Sequence, residues 1–133
     1  RGIPVTPRLA VCEGIPETRG ERLPVKPEAF ESVVKGMWMS VNAEGTGRGA
    51  RVEGFDVCGK TGSTQWISTE RAEKLAQQGR EVRKTHSWFS GFAPMADPRI
   101  VVTVLVEFGG GGGAAAAPLA GQLFDLYRKK HDR

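Results

Sequence analysis

Val57-Cys58-Gly59-Lys60-Thr61-Gly62-Ser63-Thr64, near the middle of a 133-residue chain, governs how the rest is read. A cation, three hydroxyls and two glycines fall within eight residues. Val52, Phe55 and Val57 lead into it with the look of a strand, expected over about 53–64. Lys60 brings a compact positive charge with three donors. Alternation along a strand puts Thr61 and Ser63 on one face, where both hydroxyls can serve a single anionic group. Gly62 has no side chain, so a substrate backbone can lie against the strand and extend the sheet. The Ser63 amide N–H is then placed to receive a developing oxyanion.

Two kinds of machinery share these letters. Gly54 to Thr61 satisfies the phosphate-loop pattern G-x-x-x-x-G-K-[ST]. Lys60-Thr61-Gly62 is also the K-T-G element of serine acyl-transferases. A phosphate loop requires a strand ending before Gly54 and a helix opening at Lys60-Thr61. The intervening Phe-Asp-Val-Cys suits a strand better than a cradle, and Gly62 would break the first turn of that helix. The run Ile100 to Val106, closing on Glu107, imitates a second nucleotide motif but follows a hairpin instead of a βαβ crossover. Context therefore favours a strand-borne K-T-G. The plainest competing reading is a Lys-Thr pair in an ordinary edge strand.

A chain of this length has room for one modest domain, read as residues 1–133. The net charge of +4 is mild, and basic residues are scattered except for Arg128-Lys129-Lys130 at a helix end, where they suit the helix dipole. That pattern argues against a nucleic-acid partner. Cys12 and Cys58 lack metal-ligand spacing, and no metal or cofactor is expected. No apolar run is long enough to cross a bilayer. The opening residues carry neither an initiating Met nor a signal segment, as expected of a piece of a longer protein.

Residues 1–26 are rich in Pro, Gly and charge and read as loop, with one short strand near Leu9-Ala10-Val11. Pro27 opens a helix whose apolar face is Phe30, Val33, Val34, Met37 and Val41, ending at Asn42. Ser32-Val33-Val34-Lys35 spells S-x-x-K there, and Ser40-Val41-Asn42 spells S-x-N. Both read as decoys. A nucleophilic Ser belongs at a helix N-terminus with Lys one turn on, whereas Ser32 sits well inside, where a hydroxyl bonds back to the preceding turn.

Beyond the K-T-G strand, Thr69 to Gln78 reads as a short polar helix, capped by Ser68 or Thr69 and stopped by Gly79. His86 to Ala93 is an aromatic-rich strand halted by Pro94, and Ile100 to Glu107 returns as a strand apolar on both faces, hence central and covered on both sides. His86 has no acid or nucleophile near it in sequence and reads as a structural hydrogen-bonding residue. Gly109 to Gly113 and Ala114 to Ala117 form a tight turn feeding a helix with Leu119, Leu123, Leu126 and Tyr127 at helical spacing; the small residues allow close helix-on-sheet approach, and the helix is expected to pack over the hairpin. The fold class is α+β, a three-stranded antiparallel sheet packed with a C-terminal and an N-terminal-side helix.

Gly59 to Gln65, His86-Ser87-Trp88-Phe89-Ser90-Gly91-Phe92-Ala93-Pro94, the Val-rich strand closing on Glu107 and the Gly-Ala-rich entry to the last helix resemble the penicillin-binding transpeptidases. The match is best to the class B, elongation-type branch of penicillin-binding protein 2. It covers nearly the whole chain, and only the stretch from Ser68 to Arg83 departs. The resemblance implies a membrane-anchored enzyme on the periplasmic face of the bacterial inner membrane. Such an enzyme cross-links peptidoglycan stem peptides and is acylated by β-lactams. It implies that Lys60 orients the proton network and draws the substrate carboxylate, and that Thr61 and Ser63 bond that carboxylate. It further implies that the Ser63 amide forms half of the oxyanion hole, while Gly62 and Thr64 border the substrate strand. The family's nucleophilic S-x-x-K and its S-x-N have no counterpart here. The chain is thus expected to be the C-terminal part of one transpeptidase domain, inactive alone and partnered by the remainder of that domain or by a strand-paired copy. A nucleotide-binding domain using Gly54 to Thr61, or a non-catalytic β-sheet interaction module, remain as alternatives.

Overall fold

A computed structural model describes residues 3–5, 19–79 and 85–131. The chain divides into two compact units, residues 1–33 and 34–133. In the first, Val5 and Arg19 form an isolated antiparallel bridge, and the Gly20 amide donates to the Pro4 carbonyl at 2.8 Å. The strand expected near Leu9-Ala10-Val11 lies outside the described residues.

Helix α1 spans Pro27–Asn42, the bounds its opening proline and closing asparagine suggest. Its last turn is tied down within the second unit. Val41 is fully buried, and the Asn42 side-chain amide donates to the carbonyls of Trp38 (3.0 Å) and Val57 (2.8 Å). The Trp38 indole N–H donates to Asp56 at 2.9 Å. Asn42 of the S-x-N decoy is therefore a splice holding the helix end to the entry of the next strand.

The chain then makes a 3₁₀ turn over Arg48–Ala50 and a tight turn closed by the Phe55 amide on the Val52 carbonyl, at 3.2 Å. This corrects the expectation of a strand from residue 53. Gly54 adopts φ +71, a left-handed conformation that reverses the chain there. Val52, Phe55 and Val57 are all buried, so their spacing reflects core packing and not extension.

The sheet comprises β1 (Cys58–Gln65), β2 (Thr85–Ala93) and β3 (Ile100–Val106), antiparallel in the order β1-β2-β3. Between β1 and β2 runs α2, Thr69–Gln77. The Ser68 hydroxyl caps α2 by accepting from the Arg71 amide at 3.3 Å, and Gly79 follows at φ +73. Register pairs Thr61 with Phe89, Gly62 with Trp88 and Ser63 with Ser87, and on the far side Ser87 with Val106 and Gly91 with Val102. Directly paired residues share a face. Gly59, Thr61, Ser63, Ser87, Phe89, Gly91, Ala93, Val102 and Val104 thus line the inner face. Lys60, Gly62, Thr64, His86, Trp88, Ser90, Val101, Thr103 and Leu105 line the outer one.

The core lies against the inner face and gathers Val41, Ala50, Val52, Phe55, Val57, Phe89, Val102 and Phe124. Phe89 and Phe124 are fully buried, each contributing about 1.5–3 kcal/mol relative to exposure. Helix α3, Ala116–His131, closes this core with Ala116, Ala117, Ala120, Gly121 and Phe124. The helix packs over the hairpin through its small residues, as expected, while Leu119, Leu123 and Leu126 stay exposed. The small-residue stripe wins because it permits closer approach: a Cβ on Gly121 would stand 2.8 Å from the Gly49 carbonyl oxygen.

A second correction concerns β3. Val102 is buried, yet Val101 is 72% and Leu105 46% exposed, so the strand is covered on one face only. Among the described residues it has one sheet neighbour, β2, and lies at the sheet edge instead of its centre.

Candidate active site

β1 carries the K-T-G element along one edge of the sheet, with β2 on one side and, among the described residues, no strand on the other. Cys58 to Gln65 are extended throughout, with Lys60 paired to Ser90 and Thr61 to Phe89. No helix opens at Lys60-Thr61, which lie within β1, so the phosphate-loop reading of Gly54 to Thr61 is excluded: it requires a helix N-terminus there.

The inner-face hydroxyls of Thr61 and Ser63 are each held. Thr61 Oγ1 shares a hydrogen bond of 2.7 Å with Thr46 Oγ1, and Ser63 Oγ accepts from the Gly112 amide at 3.2 Å. With its acceptor side engaged, the Ser63 hydroxyl keeps its proton available to an incoming anion. Lys60, on the outer face, turns back so that Nζ donates to the Thr61 carbonyl at 2.7 Å. That bond draws the ammonium onto the backbone of the strand instead of leaving it in solvent. Between these groups Gly62 is open: an added Cβ would meet only Trp88 Cβ, at 3.4 Å. Thr64 is exposed on the outer face opposite His86, so it does not share the side of Thr61 and Ser63.

Three contributors escaped the motif reading. Thr46, in the Gly45-Thr46-Gly47 loop, orients Thr61 from 15 residues away. Gly112 lies flat over β1 and β2, where a Cβ would come within 2.6 Å of the Trp88 carbonyl oxygen. Ser87, fully buried, donates to the Gly111 carbonyl (3.1 Å) and accepts from the Ala116 amide (3.0 Å). It fastens the glycine run to the first turn of α3. A run of five glycines beside a motif strand is a signal for such close approach, and a linker reading hides it.

Ser32 has the place expected of a decoy, its hydroxyl donating to the Glu28 carbonyl one turn back at 2.8 Å. The Ser40 hydroxyl is buried without a partner among the described residues, in a helix end packed by the Gly45-Thr46-Gly47 loop. His86 Nδ1 accepts from the Phe108 amide at 3.1 Å and its ring lies 5.0 Å from that of Phe108. This is a structural role, as expected. Cys58 is buried on β1, and Cys12 lies outside the described residues.

Comparison with known proteins follows the same lines. The family model of the penicillin binding protein transpeptidase domain matches residues 2–125. The peptidoglycan D,D-transpeptidase MrdA of Haemophilus influenzae is 41% identical over 105 residues, 77% of this chain and 16% of that protein. Among solved structures, penicillin-binding protein 2 of Pseudomonas aeruginosa, in complex with WCK 5153, superposes with TM-score 0.57 at 31% identity. It covers 83% of this chain and 24% of its own. The apo transpeptidase domain of Burkholderia pseudomallei penicillin-binding protein 3 gives TM-score 0.64 at 27% identity, over 91% of this chain and 35% of that one. The chain therefore spans well under half of each of these relatives. The K-T-G strand, the aromatic strand beside it and the near-complete match to the family model together place the chain in the penicillin-binding protein transpeptidase domain family, on its class B, penicillin-binding protein 2-type branch.

Proposed function

We propose that this chain is the C-terminal portion of a peptidoglycan D,D-transpeptidase domain and forms the K-T-G wall of its active site. The observation that carries the reading is an open sheet edge, β1, with the Thr61 and Ser63 hydroxyls on one face and the Lys60 ammonium drawn to the same backbone. A stem peptide entering as an added strand would lie along this edge, with its C-terminal carboxylate at Lys60, Thr61 and Ser63 and its backbone against Gly62. The carbonyl under attack then meets the Ser63 N–H, one donor of an oxyanion hole whose worth depends on being preorganised. Thr64 borders the strand on the outer face. The reaction class is acyl transfer through a serine ester. β-Lactams enter as strand mimics on the same edge, and no metal or cofactor takes part.

The nucleophilic serine belongs to the remainder of the domain, because Ser32 is committed to the Glu28 carbonyl within a helix. The membrane anchor is likewise assigned to residues outside these 133. The intact enzyme would work in the bacterial cell envelope, on the periplasmic face of the inner membrane. The test is intact-mass spectrometry with a reporter penicillin. The chain alone is expected to gain no covalent adduct, and the complete domain to gain one on a serine outside this sequence. An adduct mapped to Ser32 or Ser63 overturns the assignment.

A further inference from the structure

A pocket of about 430 Å³ lies where the chain leaving the 3₁₀ turn meets α3, within the size range of small-molecule sites. None of the residues from Lys60 to Thr64 lines it. At this junction the backbones are in close contact. A Cβ on Gly49 would stand 2.9 Å from the Pro118 ring, and one on Gly121 would stand 2.8 Å from the Gly49 carbonyl oxygen. The two segments are therefore fixed against each other, and charged side chains from both line the cavity beside them. Arg51 and Glu53 come from one segment, and Gln122, Asp125, Arg128 and Lys129 from α3.

These charged groups are unevenly satisfied. Asp125 accepts from Lys129 at 2.6 Å and from Arg128 Nη2 at 3.0 Å, so its charge is already spent. Arg128 Nε is buried without a hydrogen-bond partner among the described residues, an orphan donor of the kind that a bound ion or water completes. Arg51 and Glu53 are exposed, and neither side chain forms a hydrogen bond or ion pair with a described residue. The Arg51 backbone is nevertheless anchored, its amide donating to the Arg48 carbonyl at 3.1 Å. The lining thus sets three cations, Arg51, Arg128 and Lys129, against two acids, Glu53 and Asp125. One carboxylate balances that excess, and guanidinium groups suit its planar pair of oxygens. A dianion would overshoot the balance beside two acids. The uncommitted Glu53 carboxylate complements a hydrogen-bond donor elsewhere on the same ligand.

We propose that this pocket is a binding site for a small polar monocarboxylate, held with its carboxylate between Arg51 and Arg128 and with a hydroxyl or amine donating to Glu53. The site is separate from the sheet edge assigned to substrate, and it stands or falls independently of that assignment. The probe is sodium gluconate, a hydroxylated monocarboxylate, titrated into the 133-residue chain and followed by amide NMR. Ionic strength is kept low and constant with sodium chloride, since exposed charge pairs are screened by salt. Sorbitol, which lacks the carboxylate, and sodium sulfate, a dianion, are titrated separately. Gluconate is expected to shift the amides of residues 49–53 and 121–129 saturably, sorbitol to leave them still, and sulfate to bind more weakly than gluconate. Arg51→Gln removes no contact of the fold and should weaken gluconate about two- to fivefold, the scale of one exposed charge pair. Arg128→Lys keeps a cation beside Asp125 but loses Nε, and should weaken gluconate at least as much. Glu53→Gln should narrow the gap between gluconate and sulfate. Amide shifts that fail to saturate with gluconate, or an affinity unchanged in either arginine variant, would overturn the site. Sorbitol moving the same amides as far as gluconate, sulfate binding as tightly, or a gap that Glu53→Gln leaves unchanged would overturn the ligand chemistry assigned to it.

Discussion

Lys60 and Ser87 are both polar residues of the sheet, and opposite circumstances make each of them count. Lys60 is exposed and its single hydrogen bond, to the Thr61 carbonyl, does little for the fold. Its value is electrostatic and appears only when an anion arrives. In the complete domain, Lys60→Ala is expected to lower acylation efficiency by about 2–4 kcal/mol, the worth of one preorganised group. Lys60→Arg should restore only part of this, since a planar fork replaces a point charge. Acylation by a reporter penicillin within twofold of the parent for Lys60→Ala would end the assignment. Ser87 is fully buried and joins the Gly111 carbonyl to the Ala116 amide, so its removal leaves two backbone groups without partners. Ser87→Ala is expected to destabilise the chain by about 1–3 kcal/mol. Ser90→Ala breaks only the exposed 2.9 Å contact with Thr103 and should stay within about 0.5 kcal/mol. Urea unfolding of the two variants makes the comparison, and equal midpoints would contradict the structural role given to Ser87.

At the scale of elements, α3 is held at one end by its small-residue stripe and at the other by charge. Asp125 accepts from Lys129 (2.6 Å) and from Arg128 (3.0 Å), and these two bonds, Lys129 first, hold its carboxyl below the ordinary carboxylate range. A depressed folded-state pKa gives stability that is present above the unfolded value and lost as pH falls through the folded one. The last turns of α3 should therefore loosen below the usual carboxylate range. NMR shifts of residues 125–131 check this, and Asp125→Asn should flatten their pH response in that window. The elements also differ in how plainly the sequence announces them. α2 is legible to within a residue because Ser68 and Gly79 act locally. The start of β1 is not legible, since Val52, Phe55 and Val57 are apolar in order to be buried, and Gly54 turns the chain between them. The packing of α3 was legible in its run of small residues, which lets a helix approach a sheet closely, whereas the exposure of Leu119, Leu123 and Leu126 was not, because large apolar residues advertise burial. The K-T-G stretch was legible as a motif. Its supports at Thr46 and Gly112 were not, because their contacts span 15 and 49 residues.

Across the molecule, the sheet has two edges, and only β1 is proposed to take substrate. The other belongs to β3, which among the described residues pairs with β2 alone. Its outward residues are Val101 and Leu105, 72% and 46% exposed, and Trp88 on the neighbouring strand is 37% exposed. The edge therefore combines unpaired backbone N–H and C=O groups with an apolar outer face, and no proline, lysine or bulge interrupts it between Ile100 and Val106. Those are the devices by which natural sheets keep edges from pairing, and an edge without them recruits a strand. The expected outcome is that the 133-residue chain pairs along β3, with another copy, a swapped segment or a co-purifying piece of the same domain. Light scattering at tens of micromolar should give a mass above that of one chain. Amides of Ile100 to Val106 that face away from β2 should exchange slowly. A Val102→Lys change would test burial of the core face and not the edge, so the discriminating variant is Val101→Lys. It places a charge on the exposed face beside the edge and should shift the chain toward monomer with little loss of stability. A strictly monomeric parent whose outward β3 amides exchange rapidly would mean that this edge stays bare.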